Sequence, residues 1–368
     1  MSLKKSSGTY IIAEVGVNHN GSVDTAIKLI DAAHNAGADA VKFQTFIPEE
    51  LVISTAPKAE YQIKQTGDST TQLQMLQSLA LTFEEQHRLF TYCNDIGIEF
   101  LSTPFDHKSL QFLCYTLNLP RLKVGSGDIT NGPLLFAIAS TNKSIILSTG
   151  MSNLDEIQDA LNVIAFGYSQ SGNPQPQHTN IKPAFESGFQ SEQHQAILIE
   201  KVTLLHCTTE YPCPYHDVNL RAMDTLASQF SLSVGYSDHT QGISVATAAV
   251  ARGACIIEKH FTLNKNQPGP DHQASIEPNQ LKQMIADIRA TEACLGSMQK
   301  APAKSEINNR SIARKHLVAA RNIRKGAIFT PDDLTAKRTG HGLSPMHYWQ
   351  LLQTPATKNY LKDEVITL

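Results

Sequence analysis

The chain has 368 residues, of which 41% are hydrophobic and 18% charged, with a formal net charge of −3. That is globular composition, long enough for one large domain and a small one, and so near-neutral a balance argues against a polyanion-binding protein. The six cysteines (Cys93, Cys114, Cys207, Cys213, Cys255 and Cys294) show no CxxC spacing. Those nearest predicted strand or helix interiors read as buried thiols, which favours a reducing compartment. Lys4 and Lys5 have no apolar stretch behind them, and no run approaches the roughly 20 apolar residues of a membrane span. A cytoplasmic protein is expected, with neither nucleic acid nor membrane as partner.

In chain order, short apolar runs predict strands at Tyr10–Val15, Ala38–Phe43, Ile98–Ser102, Leu122–Val124, Ile145–Leu147, Val202–His206, Leu232–Tyr236 and Cys255–Lys259. Amphipathic or Ala-rich helices are predicted at Thr25–Asn35, Phe83–Asp95, Leu154–Phe166, Ile243–Arg252 and Pro278–Leu295. Two stretches interrupt the alternation. A polar insertion, Ile47–Thr71, delays the second helix, and loops this long are usually functional or mobile. Gly167–Gln193, rich in Ser, Gly, Gln, Asn and Pro, reads as an irregular surface excursion.

Eight strands separated by helices point to a (β/α)8 TIM barrel over residues 8–285. A doubly wound open sheet is the alternative, but it usually carries a GxGxxG or GxxxxGKS/T loop, and none is present. Residues 286–309 form a linker whose end, Gly296–Asn309, is polar. Residues 310–368 change character, with β-like runs at Leu317–Ala320 and Ala327–Phe329, a Lys325-Gly326 turn and a helix start at Pro331–Leu334. A module this small needs help from an interface.

In a barrel the catalytic groups sit at the carboxyl ends of the strands. Those ends carry Glu14 and Asn18, Lys42 and Gln44, Ser102 and Thr103, Lys123, Ser126 and Asp128, Ser148 and Thr149, His206 to Tyr211, Ser237 to His239, and Glu258 to His260. Glu14, Lys42 and Lys123 lie at or inside strand ends, where an unpaired charge is expensive. His239 and His260 end the last two strands, which lie side by side if parallel. Neutral imidazole is a common ligand of divalent metals, so either a metal pair or two ordinary loop histidines fits them. Lys42 and Lys123 with the hydroxyls of Ser126 and Ser148 suit a phosphate or carboxylate. Asp271, in the stiff turn Pro268–His272, offers a fixed carboxylate. An anion cradle beside a Lewis acid suggests joining a phosphorylated small molecule to a carbonyl compound.

The motifs IIAEVGVNHNG, ADAVKFQTF, FLSTPFD, KVGSGDITN, IILSTGM, LLHCTTEYP, VGYSDHT, IIEKHFT and PGPDH resemble, in order, those of the sialic acid (N-acylneuraminate) synthase family. The tail, with SIARKHLVAARNIRKG, FTPDDL and KRTGHG, resembles that family's antifreeze-like SAF domain, a β-clip fold. The resemblance covers almost the whole chain. It implies condensation of phosphoenolpyruvate with an open-chain N-acetylated mannosamine-type sugar, giving a nine-carbon 2-keto acid and phosphate. It also implies a divalent metal, manganese first, with magnesium or cobalt as alternatives.

Residue by residue, the resemblance implies that His239 and His260 bind the metal. Glu14 acts beside it, on the water that attacks C2. Lys42, Thr103, Lys123, Ser126, Ser148 and Ser237 hold phosphoenolpyruvate. Gln44, Tyr211 and Asp271 face the sugar. Arg338 extends from the SAF domain of one subunit over its partner's active site, which implies a swapped homodimer. Some relatives carry Glu where this chain has Asp128, leaving open whether Asp128 contacts the sugar directly. The role of Gly167–Gln193 is also open. TTEYP and GYSDHT favour the sialic/legionaminic branch, with N,N'-diacetyllegionaminate synthesis ahead of N-acetylneuraminate synthesis from N-acetylmannosamine. Two readings of other kinds are a Schiff-base barrel aldolase using Lys123 or Lys259, and a carbohydrate- or ice-binding SAF module on an inert barrel.

Overall fold

The computed structural model describes residues 8–67, 69–171 and 191–367. The chain divides into two compact units, Met1–Gly296 and Ser297–Leu368. The first is built on strands β1 (Tyr10–Gly16), β2 (Ala40–Thr45), β3 (Glu99–Pro104), β4 (Arg121–Val124), β5 (Ser144–Ser148), β6 (Val202–His206), β7 (Ser233–Asp238) and β8 (Ile256–His260). They form one parallel sheet in the order β3-β2-β1-β8-β7-β6-β5-β4, and β3 and β4 touch across the remaining seam. The sheet is therefore curled into a near-closed barrel, as the alternation of strands and helices predicts.

Most strands run past their predicted ends, to Gly16, Thr45, Pro104, Ser148, Asp238 and His260. A polar residue is a poor stop signal here, because an inward-facing polar side chain with partners leaves the backbone ladder intact. Thus Glu14 pairs in register with His260.

The helices form where capping and burial agree. Ser22 accepts the Thr25 N–H ahead of helix Val23–Ala36, which buries Ala26, Leu29, Ile30 and Ala33 and ends at left-handed Gly37. Thr82 and Glu85, and likewise Asn153 and Glu156, make reciprocal capping pairs at helices Phe83–Ile96 and Leu154–Ser169. Helices Gly132–Ser140, Glu192–Lys201 and Ala222–Phe230 lie outside the stretches expected to be helical. The first of them buries residues all round, so it has no polar stripe to read.

Ile47–Thr71 is less irregular than expected. It contains helices Pro48–Leu51 and Glu60–Thr66 and leads into helix Gln72–Leu79. Buried Lys58 organises it, donating to Thr66 Oγ1, the Gly67 carbonyl and Thr70 Oγ1 at 3.2, 2.9 and 2.7 Å. Of the Gly167–Gln193 excursion, Gly167–Ser169 ends one helix and Glu192 begins the next. Residues 172–190 lie outside the described residues.

Alternation along the strands sorts the barrel interior into layers. Ile12, Ala40, Leu101, Ile146, Leu205 and Ile256 make a small apolar cluster of their own. Two residues further along the same strands, or just past the end of β6 for Cys207, stand Glu14, Lys42, Thr103, Ser148, Cys207 and Glu258, all buried. The polar layer thus rests on an aliphatic floor.

The second unit pairs β9 (Lys315–Ala319) with β10 (Leu334–Arg338) in antiparallel register. Helix Ile307–Ala313 overlaps the end of the expected linker, and Ala327–Phe329 pairs only through an isolated bridge, Ile328 to Pro355. Pro331–Asp333 is a short 3-10 turn. Buried Asp333 accepts from Arg321 Nε at 2.7 Å and from the Thr330 N–H and hydroxyl at 2.8 and 2.7 Å. Among the described residues no helix is long and apolar enough to cross a membrane.

Candidate active site

The charged layer is a chain of pairs crossing the barrel. Lys42 Nζ lies 2.6 Å from Glu14 Oε2 and 3.7 Å from Glu258 Oε2. Lys123 Nζ lies 3.7 Å from Glu258 Oε1 and donates to Ser148 Oγ at 2.6 Å. Ser237 donates to Glu258 Oε1 at 3.0 Å. Two ammonium groups and two carboxylates balance one another, which is how so many charges are kept in a site closed to water.

The four groups are not equivalent. Burial, opposed by Lys42 and reinforced by Glu258, holds the Glu14 carboxyl above the usual carboxylate range. Burial acts on Glu258 in the same sense, but Lys123, Lys42 and the Ser237 hydroxyl outweigh it and hold Glu258 below that range. Burial lowers Lys123 despite Glu258. One carboxylate is therefore poised to take a proton while the other stays ionised, the separation expected of acid–base sites.

The two histidines stand next to this layer, with ring centroids 5.7 Å apart. His239 Nδ1 lies 2.7 Å from the Thr208 carbonyl, so it carries the proton and leaves Nε2 with its lone pair. Among the described residues His260 Nδ1 is buried with no hydrogen-bond partner. Burial pushes His239 down to about 4 and holds His260 well below the usual histidine value. Two neutral imidazoles, one with its acceptor nitrogen 3.3 Å from Ser237 Oγ and the other orphaned among the described residues, fit a divalent cation. Among the described residues no three His, Cys, Asp or Glu side chains are assembled as a cage. Other ligands would be oxygens of water or substrate, the open arrangement of a catalytic rather than structural metal site.

Tyr211 completes a three-ring cluster, 4.2 Å from His239 and edge-on to His260 at 5.5 Å. Tyr61, from the insertion, packs on Tyr211 at 5.1 Å. A pocket of about 120 Å³ opens here, lined by Gln44, Tyr61, Tyr211, His260 and Asp271 with apolar Met75, Leu76 and Leu79. Gln44 Nε2 reaches Glu14 Oε1 at 3.4 Å, and burial pushes Asp271 up to about 6. Gly269 is needed in the turn that presents Asp271, because its φ is +150° and a Cβ would collide with His272.

Of the sequence-predicted residues, Glu14, Lys42, Lys123, Ser148, Ser237, His239 and His260 thus gather in one connected layer. Gln44, Tyr211 and Asp271 share the adjoining pocket, and Thr103 stands opposite Gln44 in the β2–β3 ladder. Ser126 is set to one side, 3.2 Å from Cys207 Sγ and accepting the Gly150 N–H at 3.1 Å. Asp128 is half-buried and accepts from Asn131 at 3.1 Å. Arg338 belongs to the second unit, where it is the exposed last residue of β10. Sequence reasoning named Glu258 among the strand tips without giving it a role, although it is the hub of the ion pairs. Its signal was available, an acid inside an apolar run two residues before His260.

The NeuB family model matches residues 29–300 and the SAF domain model matches residues 314–368. The chain belongs to the NeuB family. This NeuB-family chain is 47% identical to the N,N'-diacetyllegionaminic acid synthase of Campylobacter jejuni, over 97% of its own length and 98% of that protein's. It is 44% identical to the N,N'-diacetyllegionaminic acid synthase of Legionella pneumophila, with 91% and 87% covered. Among solved structures, an N-acetylneuraminic acid synthetase from Leptospira borgpetersenii in complex with citrate is similar with TM-score 0.64 and 30% identity, covering 82% of this chain and 91% of that one.

Proposed function

We propose that this NeuB-family enzyme condenses phosphoenolpyruvate with an open-chain N-acetylated mannosamine-type sugar, releasing phosphate and a nine-carbon 2-keto sugar acid. Its preferred acceptor is 2,4-diacetamido-2,4,6-trideoxymannose, which makes it an N,N'-diacetyllegionaminic acid synthase. The observation that carries this reading is the 47% identity to a protein of that name across 97% of the chain. N-acetylneuraminate synthesis from N-acetylmannosamine is the second reading; the N-acetylneuraminic acid synthetase among solved structures is more distant, at 30%. The six free cysteines support a cytoplasmic setting.

Lys42 and Lys123 bind the phosphate and carboxylate of phosphoenolpyruvate, with Thr103, Ser126, Ser148 and Ser237 donating hydrogen bonds. His239 and His260 would hold a divalent ion, manganese in this proposal, which would supply Lewis acidity for a carbonyl substrate. C3 of phosphoenolpyruvate forms the new bond to the aldehyde carbon, whose oxygen takes up a proton from solvent. Water adds at the electron-deficient C2 and gives its proton to Glu14, which its surroundings keep near the basicity required. C–O cleavage then forms the keto group and releases phosphate, whose charge Lys123 and Ser148 stabilise. Gln44, Tyr211 and Asp271 hold the sugar, with Asp128 at its margin. Arg338 holds the N-acetyl group of sugar bound in a second copy, in a swapped homodimer.

The Schiff-base reading finds little support: the Lys259 side chain is fully buried and paired with Asp238 at 2.8 Å, and borohydride with pyruvate should trap no adduct on Lys123. The deciding experiment measures phosphate release with phosphoenolpyruvate and manganese against each sugar. Release should need all three components and show a higher kcat/KM with the diacetamido sugar. A higher kcat/KM with N-acetylmannosamine would overturn the choice of acceptor, and release without sugar would overturn the condensation.

A further inference from the structure

Each of the two inward histidines is preceded by an outward-facing charge that no step above uses. Asp238 precedes His239 at the end of β7, Lys259 precedes His260 at the end of β8, and the two stand opposite one another in the parallel ladder. Both side chains are at 0% exposure, with Lys259 Nζ 2.8 Å from Asp238 Oδ2. Lys259 Nζ also donates to the Thr240 carbonyl at 2.8 Å. Asp238 Oδ1 in turn accepts the Thr240 N–H at 2.9 Å and its hydroxyl at 2.7 Å. One ammonium therefore grips the residue before His239 and the residue after it, while its own backbone leads directly into His260.

From this geometry we propose that Lys259 and Asp238 are positioning residues that fix the separation and direction of the two imidazoles before any ion arrives. The proposal rests on the reading of His239 and His260 as metal ligands. Its physical basis is register. Side chains alternate along a strand, so a slip of one residue between β7 and β8 would turn one histidine to the outer face. The same slip would pull the two fully buried charges away from each other, and leaving either one unpaired is strongly unfavourable. An apolar pair could fill the same space without penalising the slip, which gives an ion pair here a use beyond cohesion. The loop after β6 secures the same segment from the other side, since the Cys213 N–H donates to the His239 carbonyl at 2.8 Å.

The test uses the full-length protein and the double variant Asp238→Leu with Lys259→Met, which removes both charges together and leaves neither unpaired. We expect a folded protein, its melting temperature lowered by the lost Thr240 hydrogen bonds, whose manganese affinity is weaker by about 10- to 100-fold, the range found for groups that orient metal ligands. The visible spectrum of bound cobalt should change with it. Native manganese affinity and a native cobalt spectrum in the folded double variant would overturn the proposal. Should the double variant not fold, hydrogen exchange on the native protein decides. The amides that end β7 and β8 should exchange equally slowly with and without manganese, and marked slowing on adding manganese would mean that the ion, not the pair, orders the site. The underlying metal reading is checked separately: manganese uptake by the native protein that survives His239→Ala and His260→Ala would remove that reading and this proposal with it.

Discussion

Lys42 Nζ lies 2.6 Å from Glu14 Oε2, and both side chains are sealed from water inside the barrel. Neither charge could be kept there alone. The pair therefore makes stability and chemistry separable by mutation. Lys42→Met should lower kcat/KM for phosphoenolpyruvate by about 100- to 1,000-fold. It should also cost about 3–5 kcal/mol of stability, because Glu14 loses its counter-charge. Adding Glu14→Gln should recover the urea midpoint without recovering turnover. A Lys42→Met protein with an unchanged midpoint would show that the pair does not support the fold.

His239→Ala and His260→Ala should each abolish phosphate release. EDTA should silence the native enzyme, and added manganese should restore it. Full activity in EDTA would defeat the metal role.

Arg338→Ala should raise KM for the sugar far more than KM for phosphoenolpyruvate, as measured by initial rates with each substrate varied in turn. Equal losses for both substrates would point to a folding defect and not to a contact with the acceptor.

Asp333 carries the prediction for the second unit. The Arg321 guanidinium, opposed by burial and helped by Thr330, holds the Asp333 carboxyl below the usual aspartate range. A depressed carboxyl contributes stability above the ordinary aspartate pKa of about 3.9 and loses it as pH falls through the lower folded value. Asp333→Asn should lower stability at neutral pH by about 1–2 kcal/mol, the scale of a lost capping interaction. In scanning calorimetry the gap from wild type should narrow as pH falls below the ordinary aspartate pKa of about 3.9. A gap that stayed constant with pH would rule out the charge as its source.

The strand–helix alternation was enough to predict the barrel, because apolar runs flanked by polar tips are what a parallel sheet covered by helices requires. Most of the candidate cluster was equally legible, since Glu14, Lys42 and Lys123 were charges where charges are costly. Three things were hidden. Strand ends were placed short wherever a buried polar residue continued a ladder, as at Asp238 and His260. Helix Gly132–Ser140 escaped because a helix buried all round has no periodic stripe. The contacts of Tyr61 arise only when distant segments meet, and no spacing in the chain announces a ring packed on Tyr211.

The ring of Ile12, Ala40, Leu101, Ile146, Leu205 and Ile256 beneath the charged layer makes the barrel a cup and not a tube. No traffic can pass through such a stopper from the opposite face, so whatever enters the chamber must leave by the same doorway. Departing molecules and newcomers then compete for a single passage, and the order in which they clear it becomes a property of the architecture itself.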